Sequence, residues 1–151
     1  EWQDMKISFS IPGIPVGKGR PRFARIGNAV KAYTPEKTEN YENLVRYAYL
    51  SCAGNVKLEG PLEIIIEAIF PIPKSYSKKK RKAILEGENN HTMKPDIDNL
   101  CKSIIDGISG IAFDDDKQIS IVRAVKRYGE NPKAIVTIKE AVCEQKHSNK
   151  V

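Results

Sequence analysis

Between Lys94 and Gln118 the chain reads KPDIDNLCKSIIDGISGIAFDDDKQ, and no other stretch limits its fold so tightly. Wound at about 100° per residue, Leu100, Cys101, Ile104, Ile105 and Ile108 cover one arc of a helix from about Asn99 to Ile108, closed by Gly110. Asp98, Asn99, Lys102, Ser103 and Asp106 cover the other arc. Such a helix must lay its apolar arc on a core. Carboxylates stand at both ends: Asp96 and Asp98 at the start, Asp114, Asp115 and Asp116 after it. The chain as a whole has 25 Lys and Arg against 19 Asp and Glu, a net charge of +6. A basic protein attracts polyanions. A knot of aspartates inside it repels them, unless a divalent cation stands between.

The remaining segments read as the elements that build the core. Lys6 to Ile11 alternates, with Ile7, Phe9 and Ile11 on one side and Lys6, Ser8 and Ser10 on the other, as a half-buried strand does. Pro12 to Pro21 is too rich in Gly and Pro for regular structure. Arg22 to Tyr33 reads as a hairpin turning at Gly27-Asn28. Thr34-Pro35-Glu36 has the order of a helix start, with Thr34 as N-cap and Pro35 in the first position. Tyr41, Leu44, Val45, Ala48 and Cys52 then share a face, and Gly54 ends the helix. Pro61 to Phe70 is a strand with Leu62, Ile64, Ile66, Ala68 and Phe70 on one side. Ser77 caps a short helix through Glu86, and Glu88 to Met93 is a polar loop. Ile119 to Arg127 and Ala134 to Lys139 are the last strands.

With 151 residues, 40% apolar and 29% charged, the chain has the size and balance of one domain with a real core. The expected fold is a single small α+β domain over residues 5–142, a mixed β-sheet packed against helices. Residues 1–4 read as an expression remnant and residues 143–151 as a polar, frayed tail. The apolar runs are too short to span a bilayer. No secretory signal pattern opens the chain, so the cytoplasm is the expected location and no membrane the expected partner. Cys52, Cys101 and Cys143 are odd in number and form no C-x-x-C pair, which argues against a disulfide framework or a zinc site. Cys52 and Cys101 read as small core residues.

Two readings of the aspartates stand side by side. In the first, Asp96 and Asp98, two apart in an extended approach, aim at one point near a helix N-terminus, an end that already favours negative charge or phosphate. The chain then folds back and brings one or two of Asp114, Asp115 and Asp116 to the same point. Mg²⁺ and Mn²⁺ take such oxygen ligands, with water and phosphate filling the rest. Lys102, one turn beyond Asp98, offsets charge on a reacting phosphate. In the second reading Asp98 caps the helix, Asp96 lies in an entrance turn, Asp106 and Lys102 are a surface pair, and D-D-D is a solvated turn. Three groups of acids around one helix exceed what capping requires. Asp106 reads as a surface residue or a support for the others.

The order D-I-D-N-L-x-K, a short amphipathic helix, then D-D-x-Q resembles the RusA family of Holliday junction resolvases, found in bacteria and phages and often in prophages. The matching residues are Asp96-Ile97-Asp98-Asn99-Leu100-Cys101-Lys102 and Asp115-Asp116-Lys117-Gln118. The specific part spans residues 94–122, with a looser match at Gly19-Arg20-Pro21-Arg22. The resemblance implies a small α+β homodimer that nicks four-way junctions symmetrically with Mg²⁺, which Mn²⁺ replaces. Carried over by position, it implies Asp96, Asp98 and Asp116 as catalytic metal-binding acids, Asp115 assisting them, Lys102 as the essential lysine and Asn99 as support. Some members carry arginine just before the first aspartate. Here Pro95 stands there, and a basic contact shifts to Lys94.

Junction binding needs phosphate contacts. Lys18, Arg20, Arg22 and Arg25 lie where Gly17 and Gly19 permit close backbone approach, which suits a mobile arm over a substrate. Lys78, Lys79 and Lys80 begin a denser run to Lys82 that also reads as a solvated helix face. Lys126 and Arg127 are weaker candidates. Phe23 and Tyr33 read as core, with base stacking as the alternative. The function expected is resolution of branched DNA in recombination and repair. The alternatives are a nuclease for flaps or forks and a non-catalytic DNA-binding module.

Overall fold

The computed structural model describes residues 5–87 and 89–142. In chain order the elements are β1 (Lys6–Pro12), β2 (Arg22–Ile26), β3 (Ala29–Tyr33), α1 (Glu36–Ala53), β4 (Leu62–Phe70), α2 (Lys78–Glu86), α3 (Ile97–Ile108), a 3-10 turn at Asp116–Gln118, β5 (Ile119–Tyr128) and β6 (Lys133–Glu140). β1, β6, β4 and β5 form one sheet in that order, with β4 parallel to β5 and the other pairs antiparallel. This is one α+β domain with a mixed sheet.

Alternation decides which face of the sheet is covered. Leu62, Ile64, Ile66, Ala68 and Phe70 of β4 are buried, beside Ala134, Val136 and Ile138 of β6 and Phe9 and Ile11 of β1. α1 and α3 close over this face with Tyr41, Val45, Tyr49, Leu100, Ile104 and Ile108. Burying each large side chain of this kind contributes about 1.5–3 kcal/mol. The helices meet closely at Gly107, where a Cβ would stand 2.9 Å from Val45 and 3.0 Å from the carbonyl of Glu42. The opposite face of the sheet is tied by charge: Glu63 accepts from Arg123 at 2.9 Å and pairs with Lys139 at 3.1 Å. Those two partners hold its carboxyl below the ordinary range.

The link from β5 to β6 passes over the end of β4, so Gly129 lies against Ile69, 2.6 Å from where a Cβ would be. The β4–β5 connection is the longer one and carries both α2 and α3. None of the described helices is long and apolar enough to cross a membrane.

Several local expectations shift. α3 starts at Ile97, two residues before Asn99, so Asp96 is the N-cap residue and Asp98 already lies in the first turn. α1 takes Pro35 rather than Thr34 as its N-cap residue and has no side-chain cap. Cys52 is exposed, its thiol 3.2 Å from the carbonyl of Ser8; the buried position on that side of α1 belongs to Tyr49. Phe23 and Tyr33 are not core residues, because the hairpin β2–β3 stands apart from the sheet and its two faces are open. Cys143 and the tail lie outside the described residues, as do residues 1–4.

Candidate active site

Asp96 holds the start of α3 with its backbone, the carbonyl accepting from the amide of Leu100 at 3.0 Å. Its side chain makes no capping hydrogen bond. The capping account of the aspartates therefore fails at the position that would cap, and the Asp96 carboxylate is left available. Asp98 and Lys102 are exposed on the following turns. Asp106, two turns beyond Asp98, is half-buried and forms an ion pair with Lys18 at 3.1 Å rather than with Lys102.

The segment between β1 and β2 is a strap bound to both helices. Ser103 donates to the carbonyl of Val16 at 2.6 Å, the amide of Lys18 to the carbonyl of Asn99 at 2.8 Å, and the amide of Gly19 to Thr38 Oγ1 at 2.9 Å. Gly17 has no room for a side chain: a Cβ would meet Pro95 at 2.6 Å and Asn99 at 3.3 Å. The expectation of a mobile arm gives way to a fixed one. Lys18 turns inward, its ammonium between Glu42 of α1 and Asp106 of α3. Burial works against that charge, but the hydrogen bonds and charges of Glu42 and Asp106 outweigh it and raise the ammonium's pKa. Lys18 is thus an internal cation, not one presented freely to DNA. Arg20, Arg22 and Arg25 are exposed, without an acidic partner among the described residues. Arg20 and Lys94 line one cleft of about 770 Å³ with Pro95, Asp96 and Asn99.

The loop leading into α3 is held from beneath. Val122, Ala124, Lys126 and Tyr128 form the column of β5 that faces the helices, in register with Ile64, Ile66, Ala68 and Phe70. Lys126 reaches from that column to donate to the carbonyls of Met93 and Pro95, both at 2.7 Å. His91 stacks on Phe70 at 4.0 Å and leans on Tyr128 at 4.8 Å. Burial and the charge of Lys126 lower its pKa. Lys126 is thus a positioning residue. The signal was a lysine in an otherwise apolar column.

At the far end of α3 the three consecutive aspartates do three different things. Asp114 pairs with Lys57 at 2.7 Å. Asp115 caps the 3-10 turn, accepting from the amide of Lys117 at 2.9 Å. Gln118 clasps the turn: its Oε1 accepts from the amides of Asp114 (2.9 Å) and Asp115 (3.1 Å), while its Nε2 donates to the carbonyls of Leu58 (3.3 Å) and Gly60 (3.1 Å). Asp116 remains exposed and shares a hydrogen bond with Asp115. That bond, with repulsion from Asp115 and Asp106, raises the Asp116 carboxyl above its ordinary range. The amide of Lys117, then the same shared bond, lower Asp115.

The Asp116 carboxylate thus feels Asp115 and Asp106, with Asp96 and Asp98 at the other end of the helix, so the chain does not fold back to bring the later aspartates to the point expected from sequence. Among the described residues no three acidic, His or Cys side chains converge closely enough to form a ready-made metal shell. Lys78 and Lys79 are exposed on α2, and Lys80 lies over the ring of Tyr76 at 3.8 Å. None of the three lines the cleft of Asp96.

A family model described as endodeoxyribonuclease RusA matches residues 12–139. A Bacillus subtilis (strain 168) protein, described as the uncharacterized protein YqaN, is 31% identical over 136 residues, which cover 89% of this chain and 96% of that protein.

Proposed function

The chain belongs to the RusA endodeoxyribonuclease family, and on that premise we propose that it is a metal-dependent nuclease that resolves four-way DNA junctions by paired, symmetrical nicks, in DNA recombination and repair. The observation that carries this reading is the start of α3. There an N-cap aspartate makes no capping bond, Asp98 and Lys102 follow on the exposed side, and Asp96 shares a cleft with the cations Arg20 and Lys94.

The donor chemistry fits a hard divalent cation. Asp96 and Asp98 offer carboxylate oxygens without internal partners among the described residues, and Asp116 has neighbours that are carboxylates, so a cation relieves its repulsion. Asp96 and Asp98 would hold Mg²⁺ or Mn²⁺, which would supply an activated water and charge stabilisation at the leaving oxygen; Asp116, with Asp115 assisting, stands at the far end of α3 and would reach that ion only from the second copy of a homodimer. Lys102 places a cation beside the phosphate where negative charge grows. Arg20 and Lys94 bind flanking phosphates and Arg22 and Arg25 extend that grip, while Lys78, Lys79 and Lys80 form a second, remote cationic surface. Asn99 supports the site through its carbonyl, which holds the strap. A homodimer with two sites suits the two-fold symmetry of the junction.

The test is cleavage of a labelled mobile four-way junction, beside a linear duplex, with Mg²⁺, Mn²⁺ or EDTA. Paired metal-dependent nicks that spare the duplex are expected. Preferential cutting of flaps or forks would move the substrate to other branched DNA. Tight junction binding with no nick under either metal would reduce the protein to a binding module.

A further inference from the structure

The hairpin β2–β3 is the part of the fold that the core does not account for. Its strands pair with each other, and its large apolar side chains face solvent: Phe23 is 71% exposed, Val30 69%, Ile26 63% and Tyr33 48%. A two-stranded hairpin is marginal in water by itself, and exposed apolar side chains of this size on both its faces mark a part of the chain that binds something. The register puts Phe23 opposite Ala32 and Arg25 opposite Val30. Phe23, Arg25, Val30 and Ala32 share one face, with Arg25 beside both Phe23 and Val30, while Arg22, Ile26 and Tyr33 lie on the other.

Charge identifies the occupant. From Gly19 to Pro35 the chain contains Arg20, Arg22, Arg25 and Lys31 and no acidic residue. A second copy of this chain, net +6, would meet that surface with like charge. DNA meets it with opposite charge, and a branch point adds what duplex DNA lacks, bases with an open stacking face. Apolar wedges flanked by cations are a recurrent way to part or stack on such bases. Position agrees: the hairpin leaves the body at Arg20, on the rim of the cleft that contains Asp96.

We propose that the hairpin is a branch-point wedge, with Phe23 and Val30 against unstacked bases and Arg25, on the same face, on the adjoining phosphate. This rests on the branched-DNA reading given above. Its test uses the full chain carrying Asp98→Asn, expected to bind without cutting, and a four-way junction with 2-aminopurine at the crossover. Binding is expected to raise the fluorescence at the crossover and not that of the same probe within an arm. Phe23→Ser together with Val30→Ser should abolish the rise and weaken junction binding about tenfold, in line with the loss of a base stack. Phe23→Trp should keep both. An unchanged circular dichroism melt would show that the double variant is folded.

A rise that survives in the double variant overturns the wedge. So does a double variant that changes from dimer to monomer in light scattering, because the hairpin would then cover a second copy. A protein with native Asp98 that neither binds nor nicks the junction is a different failure. It overturns the junction-nuclease reading, and the wedge with it.

Discussion

The two ends of α3 carry the same kinds of residue and use them in opposite ways. At the start, Asp96 does not cap, and Asp98 and Lys102 point outward without internal partners among the described residues. At the far end, Asp106 shares Lys18 with Glu42, Asp114 holds Lys57, and Asp115 and Gln118 fasten a turn. Where internal demand is met, a charged side chain holds the scaffold. Where it is not, the side chain is open to a ligand. Asp116 is the exception at the far end, because its neighbours are acids and raise its pKa.

The sharpest way to break this contrast is Asp98→Asn. Nicking should fall on the order of 10³-fold with the melting temperature unchanged, and junction binding should persist or tighten. Full activity, or a large loss of stability, would erase the distinction between the two ends. Gly17→Val should act in the reverse sense. Its side chain would collide with Pro95, so denaturant titration should give a loss of about 1–3 kcal/mol, with activity falling as the strap shifts. Gln118→Ala removes the clasp and should cost about 1–2 kcal/mol. Gln118→Glu keeps the acceptor for the two amides but sets a carboxylate oxygen against the carbonyls of Leu58 and Gly60 beside three aspartates, and should cost at least as much.

The smallest effect concerns pH. The pKa of His91 is lowered in the folded protein, so the unfolded chain takes up a proton first as pH falls through about 6.5. Stability should decline below that point and be unaffected by His91 above it. His91→Phe should flatten the acid limb of melting temperature against pH, and an unchanged limb would assign it to the carboxylates.

Local pattern carried most of the fold. The alternation of β1 and β4, the Gly27-Asn28 turn, the Ser77 cap and the apolar arc of α3 are properties of neighbouring residues, and each is realised. What sequence could not convey was who meets whom. Lys18 reads as a DNA contact because Glu42 and Asp106 are remote in the chain, and Lys126 reads the same way until its column in β5 is seen from the β4 register. Phe23 and Tyr33 read as core because composition says nothing about whether a hairpin is covered. The family resemblance named Asp96, Asp98, Lys102 and Asp116. The geometry adds the reason three of them are unoccupied by structural duty, while the carboxylate neighbours of Asp116 are visible only once the chain has folded.

The crossover between the parallel strands β4 and β5 has a consequence for inheritance. It contains every aspartate of the candidate centre, while the strap and hairpin lie in the separate connection from β1 to α1. In the proposed reading, chemistry and grip are thus written on two stretches of chain, separated by α1 and β4. A genetic exchange between relatives that falls in residues 54–61 would trade one hairpin for another and leave the acids as they were, giving the lineage a route to new DNA shapes without rebuilding the reaction.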